Sequence, residues 1–191
     1  ECVRTALEEA NHAACSAAQG YIRDVWYWCR TCGGDAEVEA AICFPCTVVC
    51  HIGHDCVEIG RKRDTSCDCG TQRTAGHPCV KMPGKPASHN KYNHNHRGRF
   101  CFCDEPERED DTSVMYQCCL CEDYFHQEHI GKVASEFSAY TCRDCAKRFP
   151  WLWAYVDGGF GEAIFNAPLG LDAKQREERK KEEESRRKRS R

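Results

Sequence analysis

At 191 residues and a formal net charge of −3, the chain has room for one or two small domains, and its 18 cysteines and 9 histidines lie far above ordinary usage. The cysteines fall in close pairs, CRTC, CFPC, CDC, CFC, CLC and CRDC. Such pairs favour metal over a disulfide framework, because one small ion collects ligands a few residues apart while a CxC loop resists disulfide geometry.

No apolar run of about 18 residues is present, which argues against a membrane span. No signal-peptide pattern opens the chain, and a start at Glu1 points to a trimmed sequence. A reducing compartment, nucleus or cytosol, is the consistent expectation. Aliphatic residues are scattered and rarely periodic, so zinc has to supply much of the folding energy. The expected fold class is a small zinc-stabilised, irregular α+β chain.

In chain order, residues 1–14 (ECVRTALEEANHAA) read as an alanine-rich helical lead-in. Residues 15–80 carry the first ligand series: Cys15, Cys29-x2-Cys32, Cys43-x2-Cys46, His51-x2-His54, Cys67-x-Cys69 and Cys79. The combination CRTC, CFPC, HIGH and CDCG resembles the UBR box, the zinc domain that reads destabilising N-terminal residues of proteins. The resemblance implies one isolated site of Cys29, Cys32, His51 and His54, and a second of Cys15, Cys43, Cys46 and Cys67. Cys46 then bridges to a third ion held with Cys69 and Cys79. Three ions with one shared ligand need about eleven ligands, one more than this series supplies. The family's histidine three residues after the last cysteine is Met82 here, so the missing ligand is sought elsewhere: His94 is favoured, with His77 and Cys50 as alternatives.

The peptide pocket of UBR boxes is acidic, because it desolvates an α-amine and, in one class, a basic first side chain. Asp68, inside CDC, matches one pocket acid; the second position is Thr71. Glu37 and Glu39 in DAEVEAA are further candidates, and CSAAQG stands where an apolar residue is expected. Two readings stay open: a weak or altered reader of N-terminal degron peptides, and a purely structural box.

Residues 81–97 form a connector; the stretch KMPGKPASHNKYNHNHRGR (81–99), rich in Pro, Gly and Asn, reads as an extended loop that could fold back to offer His94. Residues 98–150 hold the second series: Cys101-x-Cys103, Cys118-x2-Cys121, His126-x2-His129 and Cys142-x2-Cys145. Eight ligands make two closed, structural sites. The series resembles a PHD finger, cross-braced so that Cys101, Cys103, His126 and His129 share one ion and Cys118, Cys121, Cys142 and Cys145 the other. His129 replaces a usual cysteine, and imidazole serves zinc as well as thiolate does. A RING finger shares the cross-brace, but Tyr124, two residues before the fifth ligand, favours the PHD reading. Cys119 reads as an unligated thiol.

The resemblance implies a cage for methylated lysine from Phe100, Met115 and Tyr124, with Glu107 at a position that is often aromatic. A carboxylate there suits a lysine that still has N–H to donate, so the methylation state stays open. Acids of EPEREDD, Asp110 and Asp111 among them, are candidates to hold an arginine of the same tail, against a reading as a solvated acidic loop.

FPWLWAYV (149–156) reads as a helix packed on the second series, within a C-terminal extension over 151–171. The tail 172–191 alternates acid and base without an apolar face; it holds ten Lys/Arg and six Asp/Glu, or +4, leaving −7 on the rest. An acidic zinc-rich body suggests basic partners such as histone tails. Direct nucleic-acid binding is not expected beyond the basic tail, where RRKRSR is either a nuclear import signal or a solvated charge run.

A UBR box followed by a PHD finger is the arrangement of one branch of the UBR family, the short seventh member in animals and its plant and fungal relatives. NKYNxN between the domains and LWAY after them extend the match. That resemblance implies five zinc ions, three in the UBR box and two in the PHD finger. It also implies a histone H3 tail as partner, a nuclear place with the cytoplasm as a second, and a role in ubiquitin transfer with a conjugating enzyme. No catalytic residue is visible.

Overall fold

A computed structural model describes residues 2–106, 114–130 and 140–152, and the chain divides into two compact units, 1–111 and 112–191. Glu107, Asp110 and Asp111, residues 153–156 of the FPWLWAYV run, and the charged tail lie outside the described residues.

The first unit opens with α1 (Cys2–His12), the expected lead-in helix. The Lys81 ammonium donates to the carbonyls of Ala10, Asn11 and Ala13, closing the carbonyl end of that helix with a cation, as the helix dipole favours. The core is a three-stranded antiparallel sheet in the order β2-β1-β3, built from β1 (Ile22–Cys29), β2 (Ile42–Cys43) and β3 (Cys56–Thr65). In β1 the period-2 alternation turns Trp26 and Trp28 inward, while Ile59 of β3 is fully buried beside them. Both indoles find acceptors: Trp26 Nε1 donates to the Lys62 carbonyl at 3.1 Å and Trp28 Nε1 to the Val38 carbonyl at 2.9 Å. Two short helices, α2 (Arg30–Gly33) and α3 (Phe44–Val49), leave the ends of β1 and β2.

Trp28 lies against two glycines. A Cβ on Gly33 would come within 2.7 Å of its ring, and one on Gly98 within 2.8 Å. Gly98 also has φ +68°, in the left-handed region. Gly98→Ala therefore combines a strained backbone with overpacking against a buried ring, and should destabilise the unit by about 2–3 kcal/mol. Urea unfolding followed by tryptophan fluorescence measures it.

The connector is not the extended loop its composition suggested. Asn90, buried to 8% exposure, accepts from the Ser66 amide at 2.8 Å and donates to the Ser66 carbonyl at 2.7 Å, imitating one rung of a β-ladder with its side chain. Asn95, fully buried, accepts from the Lys62 ammonium at 2.6 Å and donates to the Arg99 carbonyl at 2.9 Å. Asn93 caps the short 3-10 turn His94–Arg97 with a capping box closed by His96. The Asn-rich stretch thus uses its amides where a strand would use its backbone. The first unit continues into a two-stranded ribbon, β4 (Arg99–Phe100) with β5 (Glu105–Pro106).

The second unit holds the ribbon of β6 (Met115–Gln117) with β7 (Tyr124–His126), then α4 (Gln127–Ile130) and α5 (Arg143–Arg148). Phe125 and Tyr140 pack edge to face, 5.5 Å between centroids, and Leu152 beyond α5 is fully buried. Of the expected apolar helix, the described part shows α5 ending at Arg148, with Trp151 56% exposed.

Candidate metal centres and peptide cleft

The metal-ligating side chains are delivered by turns tight enough to aim two of them at one point. Cys29 ends β1, and its sulfur accepts the Cys32 amide at 3.4 Å as α2 begins. The same CxxC turn opens α5, where the Cys142 sulfur accepts the Cys145 amide at 3.5 Å. Around the first turn gather His51 and His54, whose Nδ1 atoms lie 3.5 and 3.4 Å from the Cys32 sulfur. In the second unit Cys118, Cys121, Cys142 and Cys145 converge, with 3.7 Å between the sulfurs of Cys121 and Cys142.

These separations test the fit to zinc. A tetrahedron with zinc–sulfur bonds of about 2.3 Å and zinc–nitrogen bonds of about 2.0 Å has edges of about 3.8 Å between sulfurs and about 3.6 Å between sulfur and nitrogen. The observed 3.7 and 3.4–3.5 Å match those edges, and they are far too long for a disulfide of about 2.05 Å. The donor sets fit a structural ion with no open position.

The remaining sulfurs of the first unit form two groups that share one atom. Cys15, Cys43, Cys46 and Cys67 make one; Cys46, Cys50, Cys69 and Cys79 make the other, with Cys46 and Cys79 3.8 Å apart. All seven side chains are buried. Crowded without a cation, the thiols split their proton affinities: hydrogen bonds from Cys43 and Cys46 drive Cys15 far down, and the same contacts drive Cys46 far up. A dication relieves such crowding by taking the sulfurs together as thiolates. The Lys85 ammonium, 3.3 Å from the Cys15 sulfur, sets a second cation beside it.

Cys50, not His94, occupies the fourth corner of the second sulfur group. Cys46 and Cys50 are i and i+4 along α3 and its C-terminal cap, with the Cys50 amide donating to the Cys46 carbonyl at 2.8 Å, so both side chains share one helical face. His94 instead pairs with Asp104 at 2.7 Å. His77 hydrogen-bonds the Cys50 carbonyl through Nε2 and packs its ring 4.8 and 4.9 Å from His51 and His54. Cys50→Ser is expected to lower bound zinc by one ion per chain and His94→Ala to leave the metal count unchanged; elemental analysis of desalted protein separates them.

Cys101 and Cys103 sit at the β4–β5 turn, where Cys101 takes φ +63°, while His126 and His129 follow on β7 and α4 with ring centroids 5.2 Å apart. Cys119 stays outside the sulfur group of its neighbours and contacts the Thr141 hydroxyl at 3.3 Å. Phe100 is a core residue, 2% exposed, whereas Met115 and Tyr124 are half-buried. In the β6–β7 register Met115 faces His126 and Gln117 faces Tyr124, so Met115 and Tyr124 are diagonal neighbours on one face of the ribbon.

A cleft of about 500 Å3 opens between the metal-binding loop and the connector, lined by Val38, Asp68, Thr71, Gln72, Arg73, Ala87, Ser88 and His89. Asp68 is in its wall, but the fully buried carboxylate is already occupied. It accepts the Ala41 amide at 2.7 Å, the Asn90 amide at 3.2 Å, the Tyr92 hydroxyl at 3.0 and 3.1 Å, and the Ser88 hydroxyl. Burial pushes the Asp68 carboxyl above the usual range, opposed by these donors, and burial likewise pushes Tyr92 up to about 12. Glu37 is bound by both edges of the Arg99 guanidinium, at 2.5 and 2.8 Å, which holds its carboxyl below the usual range. Glu39 offers its carbonyl to Arg73 at 2.9 Å. The sequence marks Asn90 and Tyr92 only as part of NKYNxN, and carries no local signal for Ser88 or Arg73.

Residues 14–82 match the family described as "Putative zinc finger in N-recognin (UBR box)", and residues 95–156 match the "UBR7-like PHD finger". The chain pairs a UBR box with a UBR7-like PHD finger. Among relatives, it is 38% identical over 148 residues to "Protein mlo2" of Schizosaccharomyces pombe, covering 71% of this chain and 44% of that protein. It is also 38% identical over 151 residues to "Putative E3 ubiquitin-protein ligase UBR7" of Homo sapiens, covering 74% of this chain and 36% of that one. The Dictyostelium discoideum protein named "Putative E3 ubiquitin-protein ligase ubr7" is 25% identical over 205 residues, covering 76% of this chain and 44% of its own. The chain therefore spans less than half the length of these relatives. No solved structure matches it. The UBR box and the PHD finger bring zinc as the ion that the Cys/His groups fit.

Proposed function

We propose that this chain is the zinc-dependent, peptide-reading part of a UBR-box E3 ubiquitin ligase, and that its PHD finger takes the N-terminal tail of histone H3 around lysine 4. The observation that carries the reading is the β6–β7 ribbon, on one face of which Met115 and Tyr124 are diagonal neighbours. A thioether and a phenol ring side by side can receive the methylated ammonium of a peptide laid across that face. Of five zinc ions, three in the UBR box and two in the PHD finger, the two of the PHD finger would hold this surface rigid, and a nuclear location follows from the partner.

The test is titration of H3 peptides, with lysine 4 free or trimethylated, into the protein and into a Tyr124→Ala variant. The trimethylated peptide should bind more tightly and lose about tenfold in affinity with Tyr124→Ala. Absence of binding by either peptide at millimolar concentration would reject the reading.

The names of the relatives, putative E3 ubiquitin-protein ligases, favour a second activity, transfer of ubiquitin in concert with a conjugating enzyme, for which we take histone as the acceptor. Its expected mark is ubiquitylated histone in a reconstituted reaction, lost when Cys118 is replaced by serine.

A further inference from the structure

Of the three candidate pocket acids, Asp68 and Glu37 are already paired within the chain, Asp68 with the connector and Glu37 with Arg99, and Glu39 is not in the lining of the cleft. At the position where a second pocket acid is expected stands Thr71, whose hydroxyl accepts the Arg73 amide at 3.3 Å. The charged side chain of the cleft that keeps donors to spare is Arg73. Its guanidinium lies 3.8 Å over the Tyr92 ring, and Nη1 is fixed on the Glu39 carbonyl at 2.9 Å. Among the described residues no carboxylate lies within ion-pair distance of it. A guanidinium carries five N–H donors in a planar fork. Stacked on one face and anchored at one edge, this one is pre-organised at low entropic cost to receive a carboxylate.

We propose that the UBR-box cleft binds a peptide residue with a carboxylate side chain, and that Arg73 is the group that holds it. The selectivity is the reverse of an acidic pocket: a basic side chain entering the cleft meets a fixed cation, and the Asp68 carboxylate that would attract it is enclosed by Ser88, Asn90 and Tyr92. An aspartate or glutamate meets the free donors of Arg73, with the Thr71 and Gln72 side chains beside them in the lining. Charge-assisted Arg–carboxylate bonds are shorter and stronger than neutral ones, so the discrimination between aspartate and its amide is large.

Fluorescence polarisation with labelled peptides that differ only in a first residue of Asp, Asn or Arg tests this, each with a free and an acetylated amine. The Asp peptides should bind at least tenfold more tightly than the Asn peptides, with Arg weakest and acetylation of little consequence. Arg73→Gln should reduce Asp-peptide binding to the Asn level, and Arg73→Lys, which keeps charge but not the fork, should fall between. Bound zinc and the thermal midpoint, unchanged in both variants, would show that the fold is intact. Tyr124→Ala should have no effect, which separates this cleft from the PHD surface. Tightest binding by the Arg peptides, an Arg73→Gln variant that binds like wild type, or no binding by any peptide would overturn the proposal.

Discussion

Replacing Cys46 by serine should remove two zinc ions per chain, where Cys29→Ser removes one. Cys46 is the single sulfur common to two groups of four, and both of those groups are fully buried. Losing it opens two tetrahedra at once and leaves six cysteines of the seven without a complete partner set. Structural zinc in small fingers contributes on the order of 10 kcal/mol or more per ion at neutral pH, so the variant should lose the fold around these two sites, while Cys29, Cys32, His51 and His54 keep their own complete donor set. Metal analysis gives the count, and cobalt substitution gives a second readout: thiolate-to-cobalt absorption should fall by the share of the two linked sulfur sites, while the Cys29–Cys32–His51–His54 site and the all-sulfur site of Cys118, Cys121, Cys142 and Cys145 still fill. Loss of one ion only would show that the two groups do not share this sulfur.

The second large effect is expected at Asp68, and it is on folding more than on ligand binding. Its carboxylate collects donors from Ala41, Ser88, Asn90 and Tyr92, three of them in the connector. Removing the acceptor strands those donors in a buried site, at about 1–3 kcal/mol for each one that water cannot reach. Asp68→Ala should therefore destabilise the first unit by about 4 kcal/mol or more, as measured by urea unfolding in excess zinc. Asp68→Asn keeps one acceptor oxygen and presents an NH2 to groups that themselves donate, so about half that loss is expected. A variant as stable as wild type would mean that the connector is not held by this carboxylate.

The zinc framework is legible in the sequence because ligand spacing is chemistry written locally: CRTC, CFPC and HIGH each need only a tight turn to aim two donors at one ion. Which pairs combine is a long-range fact, and it comes from the family resemblance. Composition favours His94 over Cys50, because His94 stands in an Asn-rich stretch that reads as a loop able to fold back over the site. The i to i+4 geometry of Cys46 and Cys50 emerges only once α3 is known to run through Val49. The acids are legible as acids, but their pairing is not: nothing local in DAEVEAA announces that Glu37 will meet Arg99, 62 residues on. The Asn-rich connector misleads for a related reason. Composition ranks asparagine as a loop former, which is true of its backbone, whereas here the side-chain amides of Asn90 and Asn95 are what pair.

That pairing moves the boundary of the autonomous folding unit. The UBR-box match ends at residue 82, yet Ser88, Asn90, Tyr92 and Asn95 supply buried hydrogen bonds to residues upstream, and Gly98 closes over Trp28. A fragment cut after Met82 would keep the sulfur ligands but expose the Trp28 ring, the Ser66 backbone and the Lys62 ammonium together. The excised box would then be a zinc-loaded, aggregation-prone piece. One cut beyond Pro106, where β5 closes its ribbon with β4, would carry its own lid.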